Sequence, residues 1–133
     1  VQLTKKSSYG LIAALELAQA PPESSVSAAA IAHRYSLPLP FVEKILHRMR
    51  KGGLVRSKQG RGGGYSLARN PRDISLRQLL EALDESLDLV GCLSPGAHCE
   101  LTVVCPTKKA WAKLGQRFKR MLDSLSLEDL LES

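Results

Sequence analysis

Cys92, Cys99 and Cys105 are the only cysteines in the 133-residue chain, and all three fall in one short stretch, GCLSPGAHCELTVVC, residues 91–105. Six residues separate the first pair and five the second. Thiolates at such spacing can hold an iron–sulfur cluster, join a nitrogen donor in a zinc site, or pair transiently as a disulfide. Gly91, Pro95 and Gly96 supply bends that let a backbone fold around an inorganic core. His98 and Glu100 flank Cys99 directly, so either turns to the same centre only if the stretch bends there. An odd number of thiols cannot pair off within one chain, and a reducing cytosol disfavours structural disulfides. The spacings are looser than a ferredoxin's. From the residues alone, four readings stand: a cluster, a zinc site using His98, a thiol switch, or buried free thiols.

The elements that must position this stretch follow from periodicity. The length suits one domain with an appended helix. No window approaches a membrane span, and the opening residues Val1–Lys6 are polar, without the apolar run of a secretory signal; a cytoplasmic location and no membrane partner are expected. Leu3 to Ala20 reads as a helix with Tyr9, Ile12, Ala13 and Leu17 on one face, stopped by Pro21-Pro22. Ser27 is the N-cap of a second helix that turns Ala28, Ile31, Ala32 and Tyr35 inward. A third helix spans about Leu39 to Lys51, with Val42, Ile45, Leu46 and Met49 as its apolar stripe and Gly52-Gly53 as its stop. Residues 54–58 and 64–68 have strand character around a flexible Gly-rich tip. Asn70-Pro71-Arg72-Asp73 is a turn, and Ser75 caps a helix that buries Leu76, Leu79, Leu80 and Leu83.

Beyond the cysteines, Pro106 opens a long helix to about Ser124. Trp111, Leu114, Phe118, Met121 and Leu125 repeat at three, four, three and four residues, a heptad seam able to face a second copy or its own domain. Ser126 and Asp129 carry the spacing of a capping box for a short last helix. The fold class expected is mainly α with a small β-hairpin: a winged helix-turn-helix plus a long C-terminal dimerisation helix. Residues 1–75 would form the first unit, 76–106 a linker helix with the cysteine loop, and 107–133 the dimerisation helix and tail.

Charge locates a partner. From His33 to Arg72 there are ten Lys or Arg residues against the single acid Glu43, while the rest of the chain is slightly acidic. A basic module on an acidic remainder points to a polyanion, and a helix followed by a hairpin fits duplex DNA. The exposed side of the third helix would carry Pro40, Phe41, Glu43, Lys44, His47, Arg48, Arg50 and Lys51 to the major groove, with Lys58, Gln59 and Arg61 on the hairpin. Arg61, between glycines, suits a narrow minor groove. Glu43 either accepts a hydrogen bond from cytosine N4 or stands away from the DNA. The glycines are not a phosphate-binding P-loop, because no Gly-Lys-Ser/Thr follows them. No nucleophile sits beside a base, so an enzyme or electron carrier is not expected.

The runs LTKKSSYGLIAALELA, LPLPFVEKILHRMRKGGLV and LVRSKQGRGGGYSLARNPRDISLRQLLEALDES, followed by three close cysteines, resemble the IscR/NsrR/CymR family of bacterial winged-helix repressors, over nearly the whole chain. The resemblance implies a homodimer on palindromic double-stranded operators, joined through the first and the long C-terminal helices. It implies an iron–sulfur cluster on Cys92, Cys99 and Cys105, a [2Fe–2S] form ahead of [4Fe–4S], whose state tunes DNA binding in response to redox state or iron supply. Some members lack a cluster and respond to thiols or metabolites, which leaves a cluster-free regulator acting through thiol oxidation or a protein or metabolite partner as the alternative. In cluster members a glutamate matching Glu43 helps choose between operator classes. The fourth ligand departs from precedent: the histidine that follows the third cysteine in IscR-type members is Lys108 here, and the aspartate of the nitric-oxide-sensing branch corresponds to Ser8. His98 is the remaining nearby candidate.

Overall fold

Ser27 accepts a 3.0 Å hydrogen bond from the Ala30 amide and starts the second helix where its type and position lead one to expect. This computed structural model describes residues 3–21, 23–58, 63–88 and 106–131. Its elements are α1 (Lys5–Gln19), α2 (Ala28–Tyr35), α3 (Leu39–Lys51), β1 (Val55–Lys58), β2 (Gly64–Leu67), a 3₁₀ turn (Pro71–Asp73), α4 (Leu76–Ala82), α5 (Lys108–Ser124) and α6 (Leu127–Leu131).

The main core joins α1 through Ala13, Ala14 and Leu17, α2 through Ile31 and Ala32, and the entire α3 stripe, Val42, Ile45, Leu46 and Met49. Ser36, in the left-handed conformation at φ 55°, lets the Leu37 amide reach the Ala32 carbonyl at 2.8 Å, which closes α2 and turns the chain into α3. Tyr35 does not face inward as its spacing suggests; it is exposed. Its hydroxyl donates to Glu16 at 2.6 Å and Arg34 lies over its ring. A phenol satisfied on the outer side of α1 has no reason to enter an apolar core. The Glu16 hydrogen bond also holds that phenol above its ordinary pKa.

β1 and β2 pair antiparallel, Val55 opposite Leu67 and Lys58 opposite Gly64. Val26 adds a rung on the free side of β2, so the strand is flanked on both edges. The hairpin packs against α1 and α3 rather than standing clear of them.

Ser75 and Gln78 form a reciprocal capping box at 3.0 and 3.1 Å, and α4 buries Leu79 and Leu80, with Leu83 just beyond its end. The second box is present too: Ser126 and Asp129 exchange bonds of 3.0 and 3.1 Å. Asp therefore serves where Glu is usual. Leu76 donates its amide to the Leu125 carbonyl and Leu127 to that of Ile74, and Leu127 enters the core shared by α1–α3. Residues 125–127 are thus stitched to the chain on either side of Ser75 and into the core of α1–α3. Among the described residues, no helix is long and apolar enough to cross a membrane.

Candidate nucleic-acid interface and sensor segment

With four core residues fixing one side of α3, helical geometry sets the rest: Pro40, Lys44, His47 and Lys51 lie opposite the stripe, and Glu43 and Arg48 border that face on its two sides. Pro40, Glu43, Lys44, His47, Arg50 and Lys51 are exposed. Glu43 makes no ion pair among the described residues. Arg50, one turn pair beyond Glu43, donates to the Ser57 hydroxyl of β1 at 3.1 Å and ties α3 to the wing. Lys58 is exposed at the end of β1. Gln59 and Arg61 lie outside the described residues.

Two further expected members of the interface make contacts within the chain. Phe41 is half-buried and meets Tyr9 edge-on, ring centres 5.4 Å apart, so it seats α3 on α1. Arg48 is half-buried; its guanidinium donates to the Leu83 carbonyl at 3.3 Å and pairs with Asp84 at 3.3 Å. α3 is therefore fastened to the segment that follows α4. That segment is fastened in turn to α1. Thr4 donates its hydroxyl to the Glu85 carboxylate, and Lys6 lies 3.9 Å from it. Nothing in periodicity pointed to Lys6, Asp84 or Glu85; the acidic pair following the α4 leucines was the only trace.

Cys92, Cys99, Cys105, His98 and Glu100 lie outside the described residues. In sequence, the stretch that holds them lies between α4 and α5. These helices share a second apolar cluster, Leu80, Leu87 and Leu122 with Phe118 against it. Arg77 bridges Glu81 at 2.6 Å and Asp123 at 2.8 Å, and Lys119 meets Asp88 at 3.4 Å. The expected seam of α5 divides. Phe118 packs on its own chain, together with buried Gly115 and Leu122, whereas Trp111, Leu114 and Met121 are exposed, Leu114 and Met121 by about half. Among the described residues no group of histidine, cysteine and acidic side chains could hold a metal. Ser8 is exposed on α1, and Lys108 is the first residue of α5.

Three helices, the third with a cationic outer face, braced by a two-stranded hairpin, define a winged helix-turn-helix protein. The chain belongs to the Rrf2 family: the model of that family, described as an iron-dependent transcriptional regulator, matches residues 3–133. The transcriptional regulator IscR of Xenorhabdus nematophila is 35% identical over 133 residues, covering 100% of this chain and 80% of its own. The structure of T. potens IscR superposes with a TM-score of 0.74 at 34% identity over 99% of this chain and 87% of that one. The structure of CymR, the global cysteine regulator of B. subtilis, gives 0.76 at 28% identity over 98% and 95%. The protein is a transcriptional regulator of this family and not an enzyme.

Proposed function

We propose that the protein is a homodimeric cytoplasmic repressor that reads a palindromic operator with α3 and the wing, and that Cys92, Cys99 and Cys105 hold an iron–sulfur cluster whose state sets DNA affinity. Residues 1–75 act as the reading head, 76–106 as the sensor, and 107–133 as the dimer element. The donor set fits such a group: three thiolates are its usual ligands, while a protonated Lys108 offers no lone pair, so the fourth position is left to His98, to a group from the second copy or to an exchangeable ligand. When bound, a cluster of [2Fe–2S] type supplies a centre responsive to redox state or iron supply. The reading is supported by the position of the cysteine stretch in sequence between α4 and α5, and by the bonds that fasten Arg48 of α3 to Leu83 and Asp84 just after α4. The exposed stripe of Trp111, Leu114 and Met121 on α5 supports the dimer, since an apolar row on one helix calls for cover.

Anaerobic purification tests the sensor. The protein should be brown, with iron and sulfide in equal amounts, and Cys99→Ala should lose the visible absorbance. A colourless protein with stoichiometric zinc would overturn the cluster. The likeness to CymR favours a second reading, a cluster-free regulator acting through thiol oxidation or a protein or metabolite partner. Metal-free protein whose DNA affinity changes on mild oxidation would establish it.

A further inference from the structure

Lys6 of α1 and Lys44 and Arg48 of α3 line a single cleft floored by Phe41 and Ile45. At about 40 Å³ it is far too small for an organic ligand, and its floor is apolar. The side chains of three cationic residues border it from two elements, beside the outer face of α3. Two of them are already matched. Glu85, its side chain 4% exposed, sits by Lys6, and Asp84, its side chain 75% exposed, pairs with Arg48. Lys44 has no acidic partner among the described residues.

We infer that Lys6, Lys44 and Arg48 form a cradle for one backbone phosphate of bound DNA, and that Asp84 masks it by holding Arg48 until that phosphate arrives. The inference rests on the reading that α3 faces DNA, and it extends the interface to the first turn of α1. The two acids have different parts. Glu85 is buried and bonded to Thr4, so it fixes Lys6 in place. Asp84 is exposed, and an ion pair in water is held weakly enough for a phosphate to replace it. Asp84 also occupies the left-handed region, φ 60°, which fixes the chain path just after α4. Cys92 follows Asp84 by eight positions. A change at the cysteines that moves residues 83–85 therefore alters how many cations the cradle offers, without any change in α3 itself.

The full-length protein is titrated against a labelled random-sequence duplex at a series of salt concentrations. Lys6→Gln should lower the slope of log affinity against log salt by about 0.9, the loss of one phosphate contact. Lys6→Arg should restore it, which separates charge from folding. Asp84→Asn keeps a residue tolerant of the left-handed region and should tighten binding about two- to fivefold. With Arg48→Ala present, Asp84→Asn should gain nothing. Glu81→Gln removes a charge from the same side of the molecule, but Glu81 pairs with Arg77, so it should gain less than Asp84→Asn. An unchanged slope for Lys6→Gln, or an equal gain from Asp84→Asn with and without Arg48, would overturn the cradle while leaving α3 as the reading helix. If the wild-type protein showed no salt-dependent binding, the reading of α3 would fall and the cradle with it.

Discussion

The backbones of Val26 and Tyr65 exchange two hydrogen bonds, each 2.8 Å long. The residue that introduces α2 is thereby a rung of the wing, and the hairpin cannot swing independently of the helix-turn-helix. Recognition by such a head depends on two elements reaching neighbouring grooves at a fixed separation.

Gly64 is what permits that rung. A Cβ at this position would stand 2.6 Å from the carbonyl carbon and oxygen of Val26, backbone atoms that cannot move aside. Gly64→Ala should cost about 1–3 kcal/mol, as overpacking does, and should weaken DNA binding more than unfolding alone explains. Urea denaturation gives the first quantity and anisotropy on duplex DNA the second. A variant with unchanged midpoint and affinity would show that the wing tolerates separation from Val26.

Leu127 carries the packing of the chain end. It is 1% exposed in the core of α1–α3, and the Ser126–Asp129 box holds the turn that delivers it. Leu127→Ala should lower stability by about 2–5 kcal/mol. A lower urea midpoint with an unchanged m-value would confirm a packing loss in one cooperative unit. Two separate transitions would instead show that the tail folds apart from the head.

Much of this was readable beforehand, and the failures share a cause. The α3 stripe, the caps at Ser27 and Ser75 and the Asp129 box are local signals, set by residues within one or two turns, and they appear as expected. Tyr35, expected inward, is exposed, and Phe41 and Arg48, expected on the outer face of α3, are half-buried, because their positions are set by partners distant in sequence: Glu16, Tyr9, and Leu83 with Asp84. A helical wheel cannot tell a flank that meets solvent from one that meets another helix. The same limit applies to the α5 seam, in which Phe118 belongs to the chain's own second core and its neighbours do not.

The exposed residues of α5 make the dimer testable. Leu114 is 50% exposed in the single chain, so a charge there costs little within one protomer but would be buried without a partner in a paired interface. Leu114→Glu should convert the dimer to a folded monomer by analytical ultracentrifugation, with its urea midpoint extrapolated to low concentration unchanged. Operator affinity should fall steeply as the two half-sites cease to be bound together. A variant that remains dimeric would move the interface off this stripe.

Glu43 tests whether α3 reads bases as well as phosphates. It is exposed, unpaired among the described residues, and on the same side of α3 as Arg50, which is anchored to the wing. A carboxylate kept beside phosphates loses affinity unless it gains a partner, and cytosine N4 in the major groove is the base donor that suits it. Selection from a random duplex library should recover a motif with a C·G pair that Glu43→Gln no longer requires, a loss of about 1–3 kcal/mol of discrimination at that position alone. On random DNA the same substitution should leave the slope of log affinity against log salt unchanged, because no phosphate contact is lost. If both proteins select one motif, the carboxylate points away from the bases, and sequence reading passes to His47 and Lys44 beside it.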